Sequence, residues 1–179
     1  TSGHKWLLGP KETGLLYVRK AMLDQIDAKF IGAYSDGGFD FLKGTFAFNP
    51  AAQRYEYGTV STPLRVGLGA AIRFLQRIGM QNVWTRDRML SSRLDSGLRE
   101  IPRVQVLSPA EGAMRSAMIT FAHRDIPHLK MQEHLNTFNL RTRSVSEGGL
   151  AALRISTHVY NTPGEIDRVL EGVRTAKQP

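Results

Sequence analysis

Near its beginning the chain reads Ser2-Gly3-His4-Lys5-Trp6-Leu7-Leu8-Gly9-Pro10, a lysine set among glycine, proline and apolar residues. A lysine in an apolar, glycine-flanked turn loses part of its hydration, which favours the neutral amine and makes it available as a nucleophile. Ser2 and His4 beside it are small polar donors suited to an anion. Surface lysines far outnumber catalytic ones, so the reading of Lys5 rests on what surrounds it.

Immediately downstream, Thr13-Gly14-Leu15-Leu16-Tyr17-Val18-Arg19 predicts a short buried strand. Residues 20–60 are rich in glycine and aromatics, including Phe39, Phe41, Phe46, Phe48, Tyr55 and Tyr57, and lack sustained periodicity. They read as loops and short strands, with the aromatics mostly packing. Ser61-Thr62-Pro63 then opens a helix with a hydroxyl cap and a proline in the first turn. Leu64, Leu68, Ala71, Ile72 and Leu75 keep its spacing until Gly79 stops it. A second helix is expected over 83–98, with Pro102 at its exit.

Beyond it the pattern alternates. Strands are expected at 104–107 and 116–123, a helix from Asp125-Ile126-Pro127 to about Phe138, and strands at 140–145 and 153–159. Asn161-Thr162-Pro163-Gly164-Glu165 places hydroxyl, proline and acid as a helix start prefers, for a last helix ending near Ala176. From residue 83 onward this is an α+β unit, a small and mostly antiparallel sheet covered by helices.

The composition bounds the function. At 179 residues the chain holds one domain or two small ones, and 41% hydrophobic residues are enough for a core. There is no cysteine, which excludes a disulfide scaffold, a thiolate metal site and a cysteine nucleophile within this chain. The net charge of +8 raises nucleic acid as a partner. Yet the basic residues are spread along the whole length, with Asp87, Asp95 and Glu100 among them, and read as solvated helix faces or as a means of holding small anions. His123, His128 and His134 lack metal-ligand spacing and read as surface residues.

Three ordered motifs carry a resemblance. The segment from Ser2 to Lys11, with Gly14-Leu15-Leu16-Tyr17-Val18-Arg19 after it, resembles the cofactor-lysine segment of the class V aminotransferases. Arg54-Tyr55-Glu56-Tyr57-Gly58-Thr59 resembles that family's R-x-E-x-G-T element. Leu153-Arg154-Ile155-Ser156, Tyr160-Asn161-Thr162 and Glu165-Ile166-Asp167-Arg168 resemble its C-terminal element. The family is the pyridoxal-phosphate fold-type-I branch holding cysteine desulfurases, selenocysteine lyases and isopenicillin N epimerase-like proteins.

The resemblance implies an α/β fold-type-I enzyme that acts at the α-carbon of an amino-acid substrate, with pyridoxal 5'-phosphate as cofactor. Lys5 would form the Schiff base and move the substrate's α-proton. Ser2 and His4 match positions that hold the cofactor phosphate, and Gly58 and Thr59 match a pair that reaches it from the neighbouring subunit, implying a homodimer. Arg154 matches the arginine that clamps the substrate carboxylate. For Arg141, Arg143, His158 and Asn161 structural and functional roles stay equally open. Residues 1–82 would end the large cofactor domain and 83–179 form the small one. The expected setting is cytoplasmic, with no nucleic-acid or membrane partner.

Two departures sharpen this. Many relatives carry glycine where this chain has Glu12. The desulfurase branch needs a cysteine shortly before the C-terminal arginine, and Ser144-Val145-Ser146-Glu147-Gly148-Gly149 has no sulfur. Enzyme-bound persulfide formation is therefore disfavoured, leaving transamination, epimerisation or β-elimination. In this family the lysine lies past the midpoint, so the chain is expected to be the C-terminal part of a longer enzyme, inefficient alone and completed by a missing N-terminal half. The competing reading is a non-catalytic dimerising or anion-binding α+β module.

Overall fold

The chain opens on tight turns, with no regular element until a short 3-10 turn at Lys20–Met22. Two strands follow, β1 (Asp36–Asp40) and β2 (Thr45–Phe48), paired as an antiparallel hairpin with an irregularity between Asp36 and Gly38. A 3-10 turn at Ala52–Tyr55 leads to helix α1 (Thr62–Ile78). The computed structural model describes residues 1–110 and 112–177, and two compact units divide the chain, Thr1–Arg77 and Ile78–Pro179.

In the first unit few apolar side chains are buried: Leu23, Ala28, Leu68 and Leu75. Polar groups do much of the fixing. Arg54, only 8% exposed, donates to the carbonyls of Asn49 at 2.7 Å and Leu23 at 3.0 Å. Ser35, fully buried, accepts the Gly32 N–H and receives Asn49 N–H on its own carbonyl. The expected strand at 13–19 does not form. Leu16 and Tyr17 are 67% and 85% exposed, and the strand-like pairing there among the described residues is an isolated Ser2–Gly14 bridge. The hairpin aromatics also stay outward, with Phe39, Phe41, Phe46 and Phe48 all exposed although they contact one another.

The second unit begins at the end of α1. Gly79, at φ 89°, separates α1 from α2 (Met80–Arg99), a backbone conformation that suits glycine. Then come β3 (Val104–Val106), β4 (Met118–His123), α3 (His128–Thr137), β5 (Arg143–Val145), β6 (Ala152–Ser156) and α4 (Pro163–Thr175). The four strands form one antiparallel sheet in the order β3-β4-β6-β5. Leu90, Leu94 and Leu98 recur at four-residue spacing on α2, and Ile166, Val169, Leu170 and Val173 make the matching stripe on α4. They bury against Ile119 and Phe121 of β4, Leu153 and Ile155 of β6, and Met131 and Leu135 of α3. Burial of each such side chain is worth roughly 1.5–3 kcal/mol.

The α4 start follows the sequence reading: Thr162 and Glu165 form a reciprocal capping box with Pro163 in the first turn. The basic residues are only partly a solvated face. Arg93, Arg99 and Arg103 make two-pronged pairs with Asp167, Asp95 and Asp125. Arg54 is buried instead, and the side chain of the half-buried Arg115 is only 6% exposed. His134 is half-buried as well, its Nε2 donating to the Gly172 carbonyl at 3.0 Å and its ring against Phe138.

Candidate functional site

Ser2, His4 and Lys5 lie on one knot of turns. Gly3 N–H donates to Thr13 C=O at 2.8 Å, Gly9 N–H to Gly3 C=O at 2.9 Å, and Leu8 N–H to Lys5 C=O at 3.0 Å. These bonds fold residues 3–9 into a loop with Lys5 exposed on it. Two glycines let the loop close and dock. A β-carbon on Gly3 would sit 2.6 Å from Thr13 Oγ1 and 2.8 Å from Leu68 Cδ1, and one on Gly9 would sit 2.7 Å from the same Leu68 methyl. Leu68 is on α1, so the loop is seated on that helix, where Gly67 also makes room for Pro10.

Thr13 is the buried tie of this knot and was not singled out by sequence. Its hydroxyl donates to Pro10 C=O at 2.6 Å, and its carbonyl accepts from both Gly3 and the His4 ring. The only signal for it was a hydroxyl residue between two glycine-containing turns. Because that carbonyl can only accept, His4 Nδ1 carries the hydrogen, at 3.2 Å, and Nε2 is left facing away from this bond. The Lys5 amine makes no hydrogen bond or ion pair among the described residues, and the same holds for the Ser2 hydroxyl. The apolar shielding expected around Lys5 is not present in this unit.

Glu12 adopts φ 67°, a left-handed conformation that costs an ordinary side chain roughly 1–2 kcal/mol. That is the physical reason a glycine suits this position.

Gly58 and Thr59 precede α1. A β-carbon on Gly58 would meet nothing within 4 Å, and Thr59 is exposed. The cap of α1 is Ser61, whose hydroxyl accepts Leu64 N–H at 3.4 Å, so Thr59 is not spent on capping. The other members of that motif are structural: Arg54 as above, and Glu56, which pairs with Arg65 at 2.9 Å.

Arg154 belongs to the second unit, on β6, opposite Thr120 of β4 and Arg143 of β5. It is half-buried and its Nε is buried without a hydrogen-bond partner among the described residues. Arg143 is neutralised by Glu147, whose carboxyl is held below its usual range by a backbone N–H and by Arg143 and Arg154 nearby. Asn161 and His158 secure the turn after β6. The Asn161 side-chain oxygen accepts His158 N–H at 2.9 Å, and Arg86 of α2 donates to Asn161 C=O at 2.8 Å. Arg86 lies 75 positions away, beyond the reach of any local pattern. Burial pushes the Asp87 carboxyl upward, and His158, 3.7 Å away, opposes that shift.

Among the described residues no group of three or more His, Asp or Glu side chains could hold a metal ion, and no helix is long and apolar enough to cross a membrane.

Comparison with known proteins bears on this geometry. A family model described as Aminotransferase class-V matches residues 1–169. The chain is 32% identical over 184 residues to the probable cysteine desulfurase 2 of Mycobacterium leprae, covering 98% of this chain and 43% of that protein. It is 29% identical to a probable cysteine desulfurase of Streptomyces coelicolor, covering 96% of this chain and 43% of that one. The chain thus spans well under half the length of these curated relatives. Among solved structures, the apo cysteine desulfurase of Thermococcus onnurineus superposes with TM-score 0.84 at 25% identity, over 97% of this chain and 45% of that one. The cystine C-S lyase C-DES in complex with its product cysteine persulfide does so with TM-score 0.83 at 25% identity, over 99% of this chain and 46% of that one.

Proposed function

Because the chain belongs to the class V aminotransferase family, we propose that it is the lysine-bearing part of a pyridoxal-phosphate enzyme acting at the α-carbon of an amino acid. The observation that carries this reading is Lys5, displayed with an unengaged amine on a loop pinned by Gly3, Gly9 and Thr13. The donor set fits the cofactor: an amine for its aldehyde carbon, and the Ser2 hydroxyl and His4 imidazole for its phosphate. When bound, the cofactor supplies an electron sink that makes the α-carbon's hydrogen acidic.

The chain's own residues divide the remaining work. Lys5 holds the cofactor and then carries the α-proton at Nζ. His4 is oriented by Thr13, so its Nε2 side is the one offered to an anion. Arg154, with a buried Nε lacking a partner among the described residues, binds the substrate carboxylate and fixes which bond at the α-carbon is broken. Gly58 and Thr59 complete the phosphate site of a second subunit. Their open surroundings and the exposed aromatics of the β1–β2 hairpin support a dimer.

The relatives are named cysteine desulfurases, yet this chain has no cysteine, and a tight turn at Glu147–Gly149 joins β5 to β6. A persulfide on an enzyme sulfur is unavailable to it, so transamination, epimerisation or β-elimination is proposed instead. Because the chain spans 43% of its relatives, efficient turnover is proposed only for an assembly that supplies the cofactor-ring contacts as well.

The test mixes the 179-residue chain with pyridoxal phosphate and follows a visible absorbance band that borohydride fixes as a covalent adduct. The adduct is expected at Lys5 and absent from Lys5→Ala. An adduct spread evenly over surface lysines, with Lys5→Ala unchanged, would overturn the reading. Scoring an amino-acid panel for keto acid, racemised product and released pyruvate then separates the three reactions.

A further inference from the structure

A groove of about 360 Å³ lies beside one edge of β6 in the second unit. β5 pairs with β6 only from Arg143↔Arg154 onward. Before that point residues 139–142 leave the sheet, so the groove runs between them and residues 155–157. Ile166 and Val169 of α4 line it from beneath.

Its polar lining is unevenly satisfied. The Glu165 carboxylate is already used by the α4 cap, accepting Thr162 N–H at 2.7 Å and the Asn161 amide at 3.3 Å. Those contacts hold its carboxyl below the usual range, the Thr162 backbone N–H most of all. The Thr157 hydroxyl donates to Ala117 C=O at 3.3 Å. By contrast the Thr142 hydroxyl oxygen is buried with no hydrogen-bond partner among the described residues. Arg141 and Arg168 also line the groove; neither makes an ion pair among the described residues, although the Arg168 charge helps to hold the Glu165 carboxyl low. A buried hydroxyl lacking a partner costs stability unless something meets it, and two guanidiniums outweigh one committed carboxylate.

We propose that this groove binds a small organic anion, a carboxylate or phosphate on a short apolar body. Arg141 and Arg168 hold the charged end, the Thr142 hydroxyl donates to one of its oxygens, and the body lies on Ile155, Ile166 and Val169. Carboxylate and phosphate share the planar or tetrahedral oxygens that a guanidinium fork grips, which an ammonium-bearing ligand lacks.

The experiment titrates the 179-residue chain with hexanoate, inorganic phosphate and hexylammonium, following backbone amide resonances. Saturable shifts at Thr142, Ser156 and Val169 are expected with an anion and not with hexylammonium. Tighter hexanoate assigns a carboxylate with an apolar body; tighter phosphate assigns a phosphate group. Arg141→Gln and Arg168→Gln should each weaken binding about tenfold, the scale of one charge-assisted contact. Both arginines are exposed, so the variants should keep the parent melting temperature, and Arg141→Lys should restore part of the affinity. Shifts that map elsewhere, no saturation by either anion, or unchanged affinity in the double glutamine variant would overturn the proposal.

Discussion

The Arg54 guanidinium donates to the Leu23 carbonyl at 3.0 Å, a buried bond between residues 31 positions apart. The same side chain reaches Asn49 C=O at 2.7 Å and lies over the Phe48 ring, 5.5 Å from its centroid. One arginine therefore ties the segment before the hairpin to the turn after it. Arg54→Met strands two carbonyls and should cost about 1–3 kcal/mol in denaturant unfolding of the first unit. Arg54→Lys should recover little, because an ammonium lacks the fork that reaches both carbonyls. Equal stability of Arg54→Met and the parent would remove this role.

Glu12 gives a prediction of opposite sign. Glycine there relieves a left-handed backbone costing roughly 1–2 kcal/mol but loses about 0.5–1 kcal/mol to the freer unfolded chain. Glu12→Gly should leave stability equal or higher by up to about 1.5 kcal/mol. Glu12→Ala, which keeps a β-carbon at φ 67°, should show no such gain when both are melted side by side.

Gly97 of α2 packs directly on Leu170 of α4, where a β-carbon would come 2.8 Å from Cδ2 and 3.1 Å from Cγ. Helix propensity alone would favour alanine by about 1 kcal/mol, whereas overpacking a core costs about 1–3 kcal/mol. Gly97→Ala should therefore destabilise the second unit by about 1 kcal/mol. Combining it with Leu170→Val should cost less than the sum of the two single variants. Additive losses would show that the two positions do not compete for space.

Acid should act through the α4 cap. The Thr162 N–H, the Asn161 amide and the Thr162 hydroxyl hold Glu165 below its usual value of 4.5 in the folded chain. A folded value below the unfolded one means its contribution is full above about pH 4.5 and is lost as pH falls through the folded value. Glu165→Gln should flatten that part of the melting-temperature profile, and Thr162→Ala should cost about 1 kcal/mol at neutral pH. Asp87 runs the other way: burial raises its value above 3.8, so its folded form favours the proton and loses stability as pH rises through that window. Asp87→Asn should raise the melting temperature at pH 7, and a fall would show that its charge is better paired than its burial suggests.

Much of the second unit could be read from sequence because its signals are local. Pro163 and Glu165 mark a helix start, Gly79 a helix stop, and the four-residue spacing of Leu90, Leu94 and Leu98 a buried face. The first unit resisted because its order comes from long-range polar bonds. Nothing near Arg54 announces Leu23, and nothing near Lys5 announces Thr13 as the tie beneath it. An apolar run such as Leu15-Leu16-Tyr17 shows only that apolar surface is present, not what would bury it, and in this unit those side chains face solvent. For the site, type and order of residues pointed to Lys5, Ser2 and His4, whereas their support by Gly3, Gly9 and Leu68 became visible only in three dimensions.

The His4–Thr13 bond also carries a thermodynamic consequence. A carbonyl only accepts, so the bond fixes the rotation of the imidazole as well as its position: turning the ring over would break it. Losing it should cost about 0.5–1.5 kcal/mol, which makes the orientation of His4 part of what holds the loop closed.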